Sequence, residues 1–425
     1  MIKSRHCSAF CVIIICKKGG VNVSKVVVIG AGAAGMVAAI KISNSHDVIL
    51  LESNDKCGKK ILLTGNGRCN YWNSDINIDK YNTDNNENLN IIINRHNQEK
   101  VLLFLEKIGI YPKIKNGYYY PYSNQASSVR TLLLNNLIKR KVQIIYNFKV
   151  EDVIKNNNKF IVKSNDNEII CDKVILANGS CAMPKTGSDG SSYELAKKLG
   201  HTINQVTPSL VPLEGKGSFF KEWDGVRCDS RVSLFIDNEK IKEEFGEIQL
   251  TSYGISGICT FNISGIATKS LKLGKKVAVK INFLPTIEVD FYNWMASRNN
   301  NIPNHTIEEL LESVIPYKLM LVLLKNANID RNSYWNNLSE NDKKLLSTTI
   351  ENFSIEIIGH HSFDKAQVAT GGVSLNEINP LTMESRIIPG LYLVGELLDA
   401  DGICGGFNLS FAFISGYIAG DALND

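Results

Sequence analysis

The sequence has no hydrophobic run of the roughly 20 residues that a membrane-spanning helix requires. The nearest candidate is the N-terminal segment, where a basic start precedes a short apolar stretch at residues 9–16. Lys17 and Lys18 follow that stretch directly and no A-x-A cleavage site is present, so the pattern of a signal peptide is incomplete. We therefore expect no membrane partner.

Residues 1–22 are predicted to be a non-native extension. Lys-Lys-Gly-Gly at 17–20 can be encoded by a sequence that reads as a bacterial ribosome-binding site, and Val23 is then suitably placed to be a GTG start. Peptides from residues 1–22 in a mass spectrum of the native protein would contradict this. The whole sequence has a net charge of +4, and this segment holds four basic residues and no acid. The remaining residues therefore have a net charge of zero. A neutral chain gives no reason to expect a nucleic-acid partner.

The cysteines lack the spacings that indicate a metal site or a redox pair. Outside residues 1–22 seven remain, scattered and without any C-x-x-C pair: Cys57, Cys69, Cys171, Cys181, Cys228, Cys259 and Cys404. That usage is typical of a reduced, cytosolic protein. The sequence also has no HExxH motif and no Ser-His-Asp spacing. We therefore expect no metal, and no catalytic side chain is identified.

The patterns that are present describe an interrupted α/β protein. A chain of 425 residues predicts two or three domains. Buried strands ending in glycine, such as KVVVIG and DKVILANG, occur early, and GLYLVGE returns to that style near the C-terminus. We expect one α/β domain built from residues 23–192 and 359–425. An insert at 193–358 would interrupt it, β-rich and antiparallel over 205–285 and helical over 290–353.

A dinucleotide-binding fingerprint follows the first strand. Gly30-x-Gly32-x-x-Gly35 opens a helix, and Glu52 ends the next strand 22 residues after Gly30. Gly30 permits a tight turn, Gly32 lets the backbone approach a pyrophosphate at the helix N-terminus, and Gly35 lets the helix pack on the strand. Glu52 would accept hydrogen bonds from the adenosine ribose, and its charge disfavours NADP at this site.

FAD and NAD share this fingerprint, so the choice between them depends on other parts of the chain. There is one such fingerprint, at the N-terminus, and no second one for a nicotinamide nucleotide. A glycine-rich strand end near the C-terminus would close over a large dinucleotide. These features favour FAD.

The loop TGNGRCN, residues 64–70, has almost nothing that could fill a core. We interpret it as a loop that approaches a flat ring, with glycines for backbone contact and asparagines for directed hydrogen bonds. Arg68 is either a phosphate or substrate ligand or a partner in an ion pair. Cys69 and Cys404 are interpreted as buried, inert thiols. One of His360 and His361 is a candidate proton donor.

Several blocks of the sequence resemble the HI0933-type bacterial flavoproteins, often described as NAD(P)/FAD-dependent or aminoacetone-oxidase-like oxidoreductases. The resemblance covers Ser24 to Ala422, and its blocks are VVVIGAGAAGMVAAI, GKKILLTGNGRCN, TPSLVPL, LTSYGISGI, ATGGVSL and GLYLVGELLDADGICGGFN. It implies a glutathione-reductase-like FAD-binding Rossmann domain, interrupted by an insert with a β-barrel-like part and a helical part.

The resemblance also implies a set of FAD contacts. The last predicted helix, Asn408–Ala419, would point its positive N-terminus at the flavin. By position, the residues implied to bind FAD are Gly30, Gly32, Ala33, Ala34, Gly35, Glu52, Lys60, Thr64, Gly65, Asn70, Val150, Gly179, Gly395, Glu396, Asp399, Gly406, Phe407 and Asn408.

The activity implied is that of a FAD-dependent oxidoreductase moving hydride between flavin N5 and a small organic substrate. The family includes a reductase of dehydro-bile acids, which implies reduction of a conjugated C=C bond with NAD(P)H as a transient co-substrate. Two alternatives stay open: a non-catalytic flavin-binding redox sensor or scaffold, and a flavin-dependent RNA-modifying enzyme. Substrate identity and oligomeric state are not determined by the sequence.

Overall fold

The computed structural model describes residues 23–424, so the prediction for residues 1–22 lies outside it. The first part of the chain forms eleven strands: β1 (Lys25–Ile29), β2 (Asp47–Leu51), β3 (Trp72–Asn73), β4 (Tyr81–Thr83), β5 (Pro112–Lys115), β6 (Tyr118–Pro121), β7 (Gln143–Ile145), β8 (Asp152–Asn156), β9 (Lys159–Lys163), β10 (Glu168–Cys171) and β11 (Lys173–Leu176). Its helices are α1 (Ala33–Ile42), α2 (Asn86–Ile92), α3 (Arg95–Lys107), α4 (Ala126–Lys139) and α5 (Ser191–Lys198).

The middle part contains strands β12 (Ile203–Ser209), β13 (Leu213–Gly215), β14 (Arg227–Ile236), β15 (Glu239–Thr251), β16 (Gly254–Gly257), β17 (Val277–Asn282) and β18 (Phe353–His360). Its helices are α6 (Ile258–Lys272), α7 (Phe291–Asn301), α8 (Ile307–Leu311), α9 (Tyr317–Asn326) and α10 (Glu340–Glu351). The chain ends with β19 (Val368–Val373), β20 (Leu391–Leu393), β21 (Ala400–Gly402) and α11 (Phe407–Ala422).

A five-stranded parallel sheet, in the order β20-β11-β1-β2-β7, organises the first and last parts of the chain. Its central strand β1 is a β-branched run with almost no exposure because both faces of the sheet are covered. Strand β20 comes from the far end of the chain yet pairs with β11. The two ends of the sequence therefore contribute strands to one sheet.

Helix α11 packs against α1 and brings the C-terminus over the first βα unit. Gly416 makes this contact possible, because a Cβ at that position would come within 2.4 Å of the carbonyl oxygen of Ala34. The absence of a side chain lets the two helices approach closely. The start of the last helix is thereby held near the start of the first.

The middle part contains a closed antiparallel barrel in the order β13-β16-β15-β14-β17-β18. Helices α7–α10 lie between β17 and β18 in the sequence, and β18 returns to close the barrel against β13. Helix α6 differs from the prediction of strands and turns over 205–285. Its segment ICTFNISGIATKSLK is rich in β-branched and small residues, and it becomes helical because Cys259, Ile263 and Ala267, four apart, are all buried.

The buried side chains form two large cores. Those of 213–357 form the barrel and helical core, whereas Tyr193, Leu195 and Ala196 of α5 belong to the core of the parallel sheet. The exact division of the chain into units stays a prediction. Across residues 23–424, none of the helices combines the length and apolarity that crossing a membrane demands.

Candidate active site

A cavity of about 600 Å³ lies at the carboxyl ends of the parallel strands, where α/β sheets place their ligand sites. It extends from the residues after β1, β2, β11 and β20 to the loop before α11. The middle part of the chain adds Leu210 and Ile258 to its wall. The cavity is therefore bounded by both parts of the protein.

Most of the predicted cofactor residues line this cavity: Gly30, Gly32, Ala33, Ala34, Glu52, Lys60, Thr64, Gly65, Asn70, Gly179, Gly395, Glu396, Gly406 and Asn408. Four others lie off its lining. Gly35 lies in the helix–strand contact, Val150 is buried in the core, Phe407 packs its ring edge-on against Tyr81, and Asp399 accepts a hydrogen bond from Asn204. Their proposed contacts with a cofactor stay predictions.

The glycines of the fingerprint have distinct surroundings. A Cβ on Gly35 would come 2.0 Å from the carbonyl oxygen of Gly30, so this position needs glycine for packing. A Cβ on Gly32 would meet no protein atom within 4 Å, because Gly32 faces the open cavity. Gly32 is also the N-cap of α1, and as a glycine it has no side chain that could accept from the first N–H groups of the helix. The positive end of α1 thus faces open space, an arrangement suited to a pyrophosphate.

Glu52 lies at one end of the cavity and is held firmly by its neighbours. It is 8% exposed, and its carboxylate accepts hydrogen bonds from the backbone N–H groups of Ala31 (3.1 Å) and Asn54 (2.9 Å). The carboxylate is therefore fixed beside the fingerprint, at the end of β2, where a ribose would bind in a dinucleotide fold.

The TGNGRCN loop forms a tight turn at the cavity wall. Gly65 and Asn66 both have φ of 55°, in the left-handed region. The side-chain oxygen of Asn70 is buried and has no hydrogen-bond partner within residues 23–424. The same is true of the oxygen of Asn178, a residue that was not predicted to be in the site and that also lines the cavity. Orphaned polar atoms at a cavity wall indicate a polar ligand.

Lys60 and Glu396 form an ion pair across the cavity wall, with Nζ and Oε2 2.6 Å apart. Glu396 also accepts a hydrogen bond from Ser180 Oγ at 2.8 Å and one from the backbone N–H of Ala369 at 3.1 Å. The pair joins the loop after β2 to the loop after β20. It places one positive and one negative group at fixed positions in the middle of the cavity.

The N-terminus of α11 also faces the cavity. Gly406, with φ of 95°, is its N-cap and has no side chain that could accept from the first N–H groups of the helix. Asn408 braces the preceding loop, because its side chain bonds to both the N–H and the carbonyl of Gly402 (2.8 and 2.7 Å). A second positive helix end thus faces the cavity beside Asn70.

The two cysteines near this site are protonated thiols. Burial raises the pKa of Cys69 to about 11, and burial followed by the nearby carboxylate of Glu244 raises the pKa of Cys404 to about 12. Cys69 is fully buried, whereas Cys404 lines the cavity. Neither forms a disulfide in the part of the chain that is described.

The histidines considered as proton donors, His360 and His361, lie outside the cavity lining. His361 stacks on Tyr253 with ring centroids 4.3 Å apart, and His360 Nδ1 lies 2.9 Å from the carbonyl of His361. The buried His201 lies 3.0 Å from Ser385 Oγ and 2.9 Å from Glu377, an arrangement that sequence spacing did not reveal. Ser385 Oγ already accepts two backbone N–H groups, of Ile387 and Ile388. The trio therefore has a structural role.

The residues of the cavity fit a flavin dinucleotide. Gly32 leaves open space at a helix N-terminus, Glu52 is held beside the fingerprint at the end of β2, and the orphaned amide oxygen of Asn70 lies next to Gly406 at the far end. These features are observations on the chain itself, and they agree with the sequence-based expectation of FAD.

Comparison with known proteins is consistent with this arrangement. The sequence profile of the HI0933-like protein Rossmann domain matches residues 24–422. The 3-dehydro-bile acid delta(4,6)-reductase of Clostridium scindens is 38% identical over 94% of this chain and 98% of its own length. A ribosomal RNA dihydrouridine synthase of Escherichia coli is 28% identical over 92% of this chain and 96% of its own length.

Among solved structures, the open conformation of a flavocytochrome c3 fumarate reductase aligns with a TM-score of 0.49 at 15% identity. The alignment covers 96% of this chain and 79% of that one, and it is too distant to inform the function.

The protein is thus a Rossmann-fold protein that also contains a closed six-stranded barrel and a group of helices inserted in the sequence between two barrel strands. This confirms the predicted fold class. Within that class, the chain belongs to the HI0933-like family, as the sequence blocks predicted.

Proposed function

We propose that this protein is a FAD-dependent oxidoreductase that reduces a C=C bond conjugated to a carbonyl group in a small organic substrate. The observation that carries the proposal is the single cavity that joins the dinucleotide fingerprint to a second helix N-terminus and to the wall made by Leu210 and Ile258. The name of the Clostridium relative supports the choice of reaction.

The residues proposed to hold FAD are those lining the cavity. Glu52 would bind the adenosine ribose, Gly32 and the start of α1 the pyrophosphate, and Asn70 with Gly406 the flavin ring. When bound, FAD supplies hydride chemistry at flavin N5. The chain orients the ring, and the positive end of α11 favours the negative charge of the reduced form.

We propose NAD(P)H as the electron donor, bound transiently. The only fingerprint of the sequence is used by FAD in this proposal, so the donor has no second Rossmann site and must bind at the open part of the cavity. The cytoplasm is the proposed location, supported by the seven free cysteines of the described chain, which suit a reducing compartment.

The test is an anaerobic reduction and reoxidation screen on the purified yellow protein. NADH or NADPH should bleach the flavin within seconds, and a 3-dehydro-bile acid carrying the delta(4,6) diene should restore its colour with loss of the diene absorbance. Molecular oxygen serves as the alternative oxidant. A flavin that no nicotinamide or other small reductant bleaches would support the redox sensor or scaffold instead.

A second candidate is flavin-dependent reduction of a base in RNA. The E. coli relative, named a ribosomal RNA dihydrouridine synthase, is the observation that favours it. The neutral charge of residues 23–425 argues against it, because RNA binding is dominated by contacts of basic side chains with phosphates. Tight RNA binding that weakens steeply with salt, together with conversion of uridine in a ribosomal RNA transcript, would favour this candidate.

A further inference from the structure

We propose that Tyr120 is the proton donor of this reaction, which rests on the proposed reduction of a conjugated C=C bond. Such a reduction adds hydride to the carbon remote from the carbonyl and a proton to the carbon beside it. FAD, when bound and reduced, would supply the hydride, and the substrate would then be an enolate. The phenol Oη of Tyr120 gives its proton to the carbon beside the carbonyl, and water then reprotonates the phenolate.

The titratable side chains that line the cavity are few: Glu52, Lys59, Lys60, Tyr120, Glu396 and Cys404. Glu52 is held by backbone N–H groups beside the fingerprint. Lys59 is paired with Asp55 at 2.8 Å, and Lys60 is paired with Glu396 at 2.6 Å. Tyr120 and Cys404 are therefore the lining groups with a transferable proton that are not engaged in an ion pair.

Charge distinguishes these two groups. A donor is left negative after the transfer, and burial together with the carboxylate of Glu244 disfavours a negative Cys404. Tyr120 has a cation beside it instead, since the guanidinium of Arg68 lies over its ring, 5.6 Å from the centroid. That cation favours the negative charge that remains on Oη.

Arg68 is available for this role because its other contacts are limited. Its Nε donates to the carbonyl of Gly65 at 3.2 Å, and within residues 23–424 it has no carboxylate partner. An ion pair was one of the two roles considered for Arg68, and none is found in that range. The TGNGRCN loop thus holds a free cation over the tyrosine at the cavity wall.

The position of Tyr120 suits a donor that exchanges protons with water. It lies on β6, where it pairs with Lys113 of β5, so its backbone is fixed. The side chain is half-buried, so it is accessible both to the cavity and to solvent. Leu63 and Ile258, which also line the cavity, are 54% and 58% exposed and give an apolar, open approach for the substrate.

The experiment separates the two half-reactions in the FAD-loaded protein. Tyr120→Phe keeps the ring and its contact with Arg68 but removes the proton. Reduction by NADH or dithionite should proceed as in the wild type. Reoxidation of the reduced flavin by the 3-dehydro-bile acid with the delta(4,6) diene should slow by roughly 10²–10³-fold. The dissociation constant for that steroid should change less than about threefold.

The matched control is Tyr122→Phe, since Tyr122 is 65% exposed, pairs with Tyr111 and lies outside the cavity lining. It should reoxidise at the wild-type rate. Wild-type reoxidation by Tyr120→Phe, with a comparable loss in Cys404→Ser, would overturn the proposal and assign the proton to Cys404.

Failure of the proposed function has a different signature. In that case the wild-type flavin is reduced, but no small conjugated carbonyl compound reoxidises it. If a ribosomal RNA transcript alone reoxidises it, the same variants are compared on RNA, because the uracil C5=C6 bond is also conjugated to a carbonyl. An undiminished rate in Tyr120→Phe on RNA would then refute the assignment.

Discussion

At the residue scale, two glycines three positions apart have opposite roles. Gly32 faces open cavity, whereas Gly35 has the carbonyl oxygen of Gly30 where its Cβ would lie. We predict that Gly32→Ala folds normally, with a thermal midpoint within about 1 °C of the wild-type apoprotein, since the added methyl group meets no protein atom. It should weaken FAD binding at least about tenfold, because the methyl group occupies the space of the pyrophosphate.

Gly35→Ala serves as the comparison. The clash with Gly30 should lower the free energy of unfolding by about 2–3 kcal/mol, as overpacking does, in the absence of any cofactor. Urea unfolding of the apoproteins and fluorescence titration with FAD separate the two effects. Equal losses of stability in both variants would contradict the distinction between a ligand-facing and a packing glycine.

The fingerprint glycines and Glu52 could be predicted from the sequence because their spacing is local and matches a strand–turn–helix unit. Tyr120 and Ile258 could not, since each reaches the cavity through contacts between segments that are distant in the sequence. Asn178 was missed although it adjoins the predicted Gly179, because strand pattern and spacing do not identify an unsatisfied side-chain oxygen. The proton-donor candidates named from the sequence, His360 and His361, lie outside the cavity lining.

At the element scale, β18 decides whether the barrel closes. Its side chains alternate between buried and exposed, and Ile355, 1% exposed, pairs with Val279 of β17. We predict that Ile355→Ala lowers the free energy of unfolding by about 3 kcal/mol, because it leaves a cavity in the barrel core. Denaturant unfolding followed by tryptophan fluorescence measures this, since Trp223 belongs to that core.

Ile358→Ala is the matched control on the same strand. Ile358 is 58% exposed, so its truncation should change stability by less than about 0.5 kcal/mol. A large loss of stability in this variant would indicate that the outer face of β18 is covered by something other than water.

Helix α6 shows where local pattern fails at this scale. Its β-branched and small residues favour strands and turns when considered alone. Packing on β12 and β15 overrides that preference. The helix can bury Thr260, Ser264 and Thr268 because their hydroxyls donate to the carbonyl groups of Ser256, Phe261 and Pro208, respectively.

At the scale of the whole molecule, Asp401 lies where three parts of the chain meet. It is 1% exposed, and its Oδ2 accepts hydrogen bonds from Asn82 of β4 (3.0 Å) and Ser209 of β12 (3.2 Å), close to Gly265 of α6. Burial raises the pKa of Asp401 to about 6, Asp399 adds to the rise, and Lys269 opposes it.

The sign of the pH effect follows from that rise. A carboxyl group with a raised folded pKa contributes stability that is fully present below its unfolded pKa near 3.8 and is lost as the pH rises through about 6. We predict that Asp401→Asn does not suffer this loss. Relative to wild type, it should gain up to about 3 kcal/mol between pH 4 and pH 8, measured by urea unfolding at both values.

Asp47→Asn, at an exposed carboxylate on β2, is the control and should show no such difference. An Asp401→Asn protein whose stability relative to wild type is the same at both pH values would refute the prediction. That outcome would mean that Asp401 ionises in the folded chain as easily as in the unfolded one.

The sequence by itself determined the first βαβ unit and the dinucleotide fingerprint. Both are encoded in runs or spacings of fewer than about 25 neighbouring residues. Only the tertiary structure decided that β20 pairs with β11, that β18 closes the barrel, and that Arg68 lies over Tyr120. The physical reason is that these contacts are made by side-chain packing and strand pairing between distant segments, for which no local spacing is a signal.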